Sequence, residues 1–208
     1  SSWGDMVWHQ EGDFYYYGVF GADMPDLNYN NPDVRQAAKD AAGHWLELGL
    51  DGFRMDAAVH IYGAHEFKQQ EDSEAANINW WNEFAGYCES INPDVYLVGE
   101  VWQDDKVLEN YVQPFDTKFD FAIQQKILNC VQKGMAVPGF GDSLSVAIEN
   151  IQNKYDGVDV NYLNGVFGAN HDQDRIASSV NSLDKARQIA AVYMTLPGNP
   201  YIYYGEEL

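Results

Sequence analysis

Hydrophobic and polar positions along this chain predict helices that are followed closely by buried strands. The clearest example begins at Asn31, which can cap a helix with Pro32 as its first residue, and ends at Gly49. Apolar residues spaced three and four apart form one stripe along this helix. The strand 50–56 follows after almost no loop and ends at Asp56. A buried strand directly after an amphipathic helix indicates a parallel α/β sheet.

The same unit of helix and strand recurs along the rest of the chain. Further helices are predicted at 78–91, 107–112, 143–154 and 184–196. The strands after them are predicted at 95–100, 119–123, 163–170 and 200–204. Five strands are fewer than the eight that close an α/β barrel, so we expect a partial barrel that lacks its first strands. Its two open edges would favour self-association of the chain.

Residues 1–30 do not show this pattern. They are rich in aromatic and acidic residues, and we expect them to form a long functional loop or the end of a small subdomain. The barrel portion would then cover residues 31–208. No predicted strand is followed by Gly-x-Gly-x-x-Gly or a P-loop, which disfavours a nucleotide-binding α/β fold.

Three predicted strands end at or just before a carboxylate, namely Asp56, Glu100 and Asp172. A carboxylate at the end of an apolar strand loses solvation without a gain in packing, so three of them suggest a common function. The carboxyl ends of parallel barrel strands lie on one side, where barrel enzymes carry out their chemistry. Taken alone, each residue could instead form a structural ion pair, a helix cap or a loop salt bridge.

The residues around these carboxylates favour glycoside chemistry. Arg54 lies two residues before Asp56 on the same face of the strand, where it can hold this carboxylate ionised and oriented. Glu100 lies in an apolar and aromatic setting, which suits a general acid. Two close carboxylates of this kind are the minimum for retaining glycoside hydrolysis. Asp172, which follows His171, could bind a polyhydroxylated ligand and stabilise a positively charged transition state.

Composition narrows the choice of partners. The formal net charge of -20 argues against nucleic acid and anionic membranes, since both would be repelled, and favours an uncharged substrate. An acidic surface that only keeps the protein in solution is the alternative. The five histidines form neither His-x-His nor His-Glu-x-x-His, so a metal-dependent hydrolase is disfavoured. Cys88 and Cys130 are predicted to be buried thiols rather than a disulfide.

Five segments are similar to motifs of the α-amylase superfamily, glycoside hydrolase family 13. Segment 52–60 (Gly-Phe-Arg-Met-Asp-Ala-Ala-Val-His) resembles the second conserved region, 99–102 (Gly-Glu-Val-Trp) the third, and 167–175 (Phe-Gly-Ala-Asn-His-Asp-Gln-Asp-Arg) the fourth. Segment 24–28 is similar to a motif near the end of the family's inserted domain, and 197–207 resembles the eighth barrel strand. The resemblance covers essentially the whole chain. It is strongest to bacterial amylases of the group between oligo-1,6-glucosidases and neopullulanases.

The resemblance implies strands 4 to 8 of a (β/α)8 TIM barrel, preceded by the end of the inserted small domain over residues 1–30. It implies a glycosidase that acts on α-1,4-linked glucans such as starch, with Asp56 as the nucleophile that forms a covalent glucosyl-enzyme. Glu100 would protonate the leaving oxygen and later activate water. Asp172 would bind sugar hydroxyls, with His171 and Arg54 assisting.

Three further residues, His60, Trp102 and Arg175, would contact flanking sugars according to the same resemblance. Where many amylases carry a lysine before the histidine, this chain has Val59. The family's first conserved region and first three strands have no counterpart here. The implied chemistry requires no cofactor. The full-length enzyme could hold a structural calcium ion, but Asp26 and the His60 carbonyl match only two positions of that site, so the metal ligands are unknown.

Several alternatives stay open from the sequence. The chain could be a non-catalytic carbohydrate-binding relative, or an α-1,6-glucosidase or transglycosylase of the same superfamily. A chain without its first barrel strands is expected to be poorly active alone and to pair with another copy or with the missing segments. A secreted or cell-surface location is favoured over the cytoplasm because the implied substrate is a polysaccharide.

Overall fold

The computed structural model describes residues 4, 6–63, 70–103, 105–133 and 143–207. These residues divide into two compact units. The first contains the described residues of 1–52 and 57–95, and the second contains those of 53–56 and 96–208. The predicted domain boundary after residue 30 lies within the first unit and stays a prediction. Among the described helices, none is long and apolar enough to cross a membrane.

The first unit begins with a β-hairpin, in a region for which the sequence predicted a long loop or the end of a small subdomain. Strand β1 (Trp8–Glu11) pairs antiparallel with β2 (Phe14–Tyr17). The two residues Gly12 and Asp13 join the strands, and Gly12 has a φ of 60°, which glycine adopts without strain. A long loop is therefore wrong for these residues, because the Gly-Asp pair between Trp8–Glu11 and Phe14–Tyr17 indicates a hairpin. The end of a small subdomain over residues 1–30 stays a prediction.

Helix α1 (Pro32–Glu47) confirms the prediction made from its capping residues. The side-chain oxygen of Asn31 accepts a hydrogen bond from the Asp33 amide at 2.9 Å, and proline occupies the first turn. Gly49 follows the helix with a φ of 95°, a conformation that favours glycine. The local sequence therefore determines both ends of this helix.

Helix α2 (Gln70–Ile91) begins earlier than predicted and packs against α1. The Nζ of Lys39 on α1 lies 2.8 Å from a carboxylate oxygen of Glu83 on α2. The buried Trp81 donates its indole N–H to a carbonyl of the short 3-10 helix Ala58–His60 at 2.7 Å. This hydrogen bond attaches the turn that carries His60 to α2.

Five barrel strands are present among the described residues, and four of them overlap their predicted ranges. The five strands are β3 (Gly52–Met55), β4 (Tyr96–Gly99), β5 (Thr117–Lys118), β6 (Gly165–Phe167) and β7 (Asn199–Tyr201). The order is β3-β4-β5 and β6-β7, and a parallel bridge between Phe119 and Gly165 connects the two groups. The pairs β4–β5 and β6–β7 are parallel, and the Glu100 amide donates to the Met55 carbonyl at 2.9 Å. The carboxyl ends of the strands therefore share one side of the partial barrel.

The predicted helices 107–112, 143–154 and 184–196 overlap helices of the second unit, whereas the helices Phe121–Lys133 and Ile176–Val180 were not predicted. The helices of this unit are α3 (Asp105–Leu108), which the 3-10 turn Glu109–Tyr111 extends, α4 (Phe121–Lys133), α5 (Leu144–Asp156), α6 (Ile176–Val180) and α7 (Leu183–Tyr193). The strand predicted at 119–123 is wrong in position, because β5 ends at Lys118 and Phe121 begins α4. Asp120 promotes the change by accepting a hydrogen bond from the Ile123 amide at 2.8 Å, as a helix cap does.

A buried cluster of polar and aromatic side chains connects β5 to α5. The Lys118 side chain is fully buried, and its Nζ lies 3.4 Å from the ring centre of Tyr155 and 4.9 Å from that of Tyr162. Tyr155 donates its hydroxyl to Asp120 at 3.1 Å. Cation–π contacts of this kind stabilise a charge that has lost its water. The cluster connects β5 and the start of α4 to α5.

Candidate active site

Arg54 connects the two carboxylates at the ends of β3 and β4. Its Nη1 donates to Asp56 Oδ1, and its Nη2 lies 2.9 Å from Glu100 Oε1. The guanidinium is planar and rigid, and its terminal nitrogens are adjacent, so the two carboxylates are held close together. Retaining glycosidases need such proximity, with the two carboxyl groups about 5–5.5 Å apart.

The two carboxylates differ in their exposure to solvent. The Asp56 side chain is 72% exposed, whereas that of Glu100 is 10% exposed. Gly99 allows the chain to pass close to Phe115 just before Glu100, because a Cβ at this position would lie 2.5 Å from the ring. An accessible carboxylate beside a shielded one is the asymmetry that separates nucleophile from general acid in such pairs.

The residue after Asp56 has an unusual backbone conformation. Ala57 has a φ of 46°, in the left-handed region that alanine rarely adopts. Residues under such strain persist only where the surrounding structure holds them, and they are concentrated at functional sites. This observation supports a functional constraint at the end of β3.

Asp172 and His171 form a second polar group, on the loop after β6. Asp172 Oδ2 lies 3.2 Å from His171 Nε2, and both side chains are exposed. The Asp172 amide donates to the Asn170 side chain at 3.1 Å, which fixes the start of the loop. The structure thus joins Arg54 to both strand-end carboxylates and pairs Asp172 with His171. The convergence of the two groups around one sugar stays a prediction.

Trp102 lies on the segment that follows Glu100. Its indole stacks on the ring of Phe121 with centroids 4.3 Å apart and the planes 7° from parallel, yet the residue remains 49% exposed. It borders a cleft of about 330 Å³ whose other lining residues include four glutamines, at positions 103, 124, 125 and 173. The sequence analysis missed these glutamines as a group because they come from three separate segments, and only Gln173 lies within one of the quoted motifs, segment 167–175.

Arg175 contacts the chain after β7. Its Nη1 donates to the Tyr204 carbonyl, and its guanidinium carbon lies 4.8 and 4.1 Å from the ring centres of Tyr203 and Tyr204. Burial raises the pKa of the nearby Glu206, and the charge of Arg175 partly opposes this shift. These contacts stabilise the C-terminal segment, while a contact between Arg175 and a sugar stays a prediction.

His60 belongs to the first unit. It lines a cleft of about 310 Å³ whose other walls include Trp8 and Tyr17 of the hairpin. Its ring meets that of Phe20 edge to face with centroids 5.2 Å apart. Burial lowers the pKa of His60, and the carboxylate of Asp26 partly opposes the shift. Contact between His60 and a flanking sugar stays a prediction.

The residues that match the family's calcium site do not form one by themselves. Asp26 already accepts a hydrogen bond from the Val19 amide at 2.7 Å. The described part of the chain contains no group of three or more histidine, cysteine, aspartate or glutamate side chains placed to hold a metal. Calcium takes about six to eight oxygen ligands. Calcium binding by a longer chain stays a prediction.

The sequence profile of the family described as alpha amylase, catalytic domain, matches residues 1–208. The chain belongs to the α-amylase family. Alpha-amylase 3 of Dictyoglomus thermophilum is 40% identical to it over 205 residues, which cover 97% of this chain and 38% of that protein. The 4-alpha-glucanotransferase of Thermotoga neapolitana is 34% identical over 208 residues, which cover 98% of this chain and 41% of that protein.

A solved structure of the α-amylase family agrees with the fold. The crystal structure of alpha-amylase from H. orenii matches with a TM-score of 0.84 at 39% identity, over 97% of this chain and 40% of that one. This match confirms the partial (β/α)8 barrel, and the family match confirms the resemblance. The chain spans about two fifths of the length of these relatives.

Proposed function

We propose that this chain carries the catalytic carboxylates of a retaining glycoside hydrolase that acts on α-1,4-linked glucans. The observation that supports the proposal most strongly is that one arginine, Arg54, bonds to both Asp56 and Glu100. Membership of the α-amylase family supports an α-glucan substrate, because a relative that is 40% identical is named alpha-amylase. The net charge of -20 suits an uncharged polymer.

The proposed reaction has two displacements. In the first, a carboxylate oxygen of Asp56 attacks the anomeric carbon while Glu100 donates its proton to the glycosidic oxygen, and the bond between that carbon and oxygen breaks. The leaving sugar departs with the proton, and a glucosyl ester forms on Asp56. In the second, Glu100 takes a proton from water, whose oxygen attacks the same carbon and releases Asp56. The anomeric configuration is retained.

Arg54 acts in this proposal as a positioning residue. Its bond to Asp56 aims one carboxylate oxygen and leaves the other free for attack. Its bond to Glu100 stabilises the carboxylate that exists after proton donation, when the shielded side chain would otherwise hold an unpaired charge. One side chain therefore supports both displacements.

Asp172 and His171 are proposed to bind the sugar whose ring distorts. Their exposed positions on the loop after β6 leave acceptor and donor atoms for sugar hydroxyls. The negative charge of Asp172 would stabilise the positive charge that develops at the anomeric carbon. Trp102, Arg175 and His60 are proposed to contact flanking sugars.

Transfer of the glucosyl unit to a second sugar is a competing outcome. One specific observation favours it: a relative that is 34% identical is named 4-alpha-glucanotransferase. Hydrolysis and transfer share the first displacement and differ only in whether water or a sugar hydroxyl attacks the ester. Product analysis on maltotriose distinguishes hydrolysis from transfer, because only transfer yields chains longer than the substrate.

Asp56→Asn tests the proposal directly. We expect it to abolish release of reducing sugar from maltooligosaccharides, because the amide cannot form the ester. Asp184→Asn, the same chemical change at an exposed position on α7, is the matched control and should retain activity. Equal activity of wild type and Asp56→Asn would rule out catalysis by this site. Both variants are compared in the 208-residue chain and in a form extended at its N-terminus.

The extended form matters because the 208-residue chain is expected to turn over slowly and to self-associate. Among the described strands, β3 and β7 lie at the two edges of the partial barrel, and exposed strand edges favour association. Size-exclusion chromatography with turnover assays on the eluted fractions measures both properties. A monomer that is as active as the extended form would contradict this expectation.

A further inference from the structure

Three side chains of α2 lie on one face of the helix and bond to a single turn of the chain. Ser73, Asn77 and Trp81 follow one another at intervals of four residues, which places them on successive turns of α2. Each is buried and hydrogen-bonds to the backbone of the turn 57–62, which contains the 3-10 helix Ala58–His60. Buried polar side chains need partners, and here the partner is the backbone of this turn.

Asn77 makes the central contacts of this group. The Tyr62 amide donates to its Oδ1 at 2.8 Å, and its Nδ2 donates to the Val59 carbonyl at 3.0 Å. One side-chain amide therefore uses its acceptor and its donor to connect two residues of the turn. Asn77 is only 1% exposed, so water cannot readily replace it.

The flanking side chains add bonds to the same turn. Ser73 Oγ donates to the Tyr62 carbonyl at 2.8 Å. The indole N–H of Trp81 donates to the Ala58 carbonyl at 2.7 Å. Bonds from three successive turns of α2 therefore hold this backbone near its beginning and at its end.

The turn held in this way begins with a strained residue. Ala57 has a φ of 46° and a ψ of 42°, in the left-handed region that alanine rarely adopts. Its carbonyl accepts a hydrogen bond from the His60 amide at 2.8 Å, which closes the turn from within. Such strain persists only where the surrounding structure holds it, and the contacts from α2 supply that support. Ala57 directly follows Asp56, so its φ sets the direction in which the chain leaves this carboxylate residue.

We propose that Asn77 is a positioning residue for the reaction at Asp56. Through the turn 57–62 it holds Ala57 in its left-handed conformation, which fixes the backbone next to the nucleophile. The role needs no contact with substrate. The inference rests on the proposed function, because the aim of Asp56 has a kinetic consequence only if this carboxylate attacks the anomeric carbon. A reacting group that is misplaced by about 1 Å can slow a reaction about 100-fold.

Asn77→Ala tests this role through the rate of glucosyl-enzyme formation, measured in the N-terminally extended form. A fluorinated α-glucosyl fluoride traps the glucosyl ester on Asp56, and mass spectrometry over time gives the rate constant and the final labelled fraction. Poor positioning lowers the rate constant, whereas loss of folded protein lowers only the labelled fraction. We expect the two lost bonds to slow trapping roughly fivefold or more. Asn79→Ala, the same change at an exposed position of α2, is the matched control and should trap at the wild-type rate.

Ala57→Gly provides a rescue that a purely structural role of Asn77 would not give. Glycine adopts a φ of 46° without strain, so it should keep the turn in place when the contacts from Asn77 are gone. In the Asn77→Ala background, Ala57→Gly should raise the trapping rate constant roughly two- to fivefold. The same change in the wild-type background should raise it by less.

Ser73→Ala keeps the test decisive should Asn77→Ala not fold, because it removes a single bond to the turn. We expect it to slow trapping roughly 2- to 12-fold. Rate constants equal to wild type in the folded variants would overturn the inference, and so would a slow Asn77→Ala variant that Ala57→Gly does not accelerate.

A second measurement separates this inference from the proposed function. Absence of trapping in the wild type would contradict the catalytic role of Asp56, whereas hydrogen exchange of the amides in 57–62 reports on the turn without any chemistry at Asp56. Faster exchange there in Asn77→Ala than in Asn79→Ala would support the hold of α2 on the turn. Equal exchange in the two variants would overturn it.

Discussion

Replacing Arg54 by lysine perturbs the junction of the two carboxylates while keeping its positive charge. The guanidinium reaches Asp56 with Nη1 and Glu100 with Nη2. A lysine ammonium is a single compact group on a flexible stem and cannot take up the same fork geometry. We expect it to keep one contact and lose the other.

The lost contact sets the size of the effect. A hydrogen bond to a charged group contributes about 1.5–3 kcal/mol. The Asp56 side chain is 72% exposed, so water screens its bond, whereas the bond to the shielded Glu100 is screened less. Lysine should therefore keep the contact with Glu100 and lose the contact with Asp56. The loss should raise the free energy of the transition state by an amount near the lower end of that range. Because about 1.4 kcal/mol of activation free energy corresponds to a tenfold change in rate, kcat/KM should fall roughly 10- to 30-fold.

Two measurements on Arg54→Lys distinguish positioning from general damage. The rate of glucosyl-enzyme trapping should fall by about the same factor as kcat/KM, because both depend on the aim of Asp56. The thermal midpoint should change by only a few degrees, since the lost pair is largely exposed. A trapping rate within twofold of wild type would refute the reasoning, and so would a loss of activity that only follows a loss of folded protein.

Three further predictions concern other parts of the molecule. Gly99→Ala should lower the free energy of unfolding, measured in urea, by about 1–3 kcal/mol, because the new Cβ would lie 2.5 Å from the Phe115 ring. A change below about 0.5 kcal/mol, which is typical of tolerated surface substitutions, would contradict this prediction. Burial raises the pKa of the Cys88 thiol to about 11, so iodoacetamide at pH 8 should label the less buried Cys130 first, as read by mass spectrometry, and equal labelling would be the contrary result. Burial also lowers the pKa of His60 below the ordinary 6.5, so the unfolded chain takes up the proton more readily and the free energy of unfolding should fall as the pH drops below 6.5. In urea titrations, His60→Gln should reduce this dependence of stability on pH. An identical dependence in wild type and variant would contradict the prediction.

Capping residues in the sequence predicted helix ends correctly, whereas apolar runs predicted strands less reliably. The cap at Asn31 and the stop at Gly49 predict α1 correctly, because each acts through its own backbone neighbours. The run 119–123 is apolar enough for a strand, but Asp120 caps a helix there instead. Short apolar runs do not distinguish a buried strand from the first turn of a buried helix.

In the candidate site as well, contacts between residues close in sequence could be predicted, whereas contacts between distant segments could not. The spacing of Arg54 and Asp56 predicts that they share a face, and the structure pairs them. The bond from Arg54 to Glu100 joins neighbouring strands, so it required the strand order as well as the motif. The cleft of glutamines could not be predicted, because Gln125 and Gln173 come together only through the packing of α4 against β6 and its loop.

The most direct test of the central claim is mass spectrometry of the chain, or its N-terminally extended form, after treatment with a fluorinated α-glucosyl fluoride that forms the ester faster than it breaks down. The two-displacement reaction predicts one added fluoroglucosyl group on the peptide that contains Asp56, and none in the Asp56→Asn variant. A label on another residue, or full turnover with inversion of the anomeric configuration and no label, would contradict it.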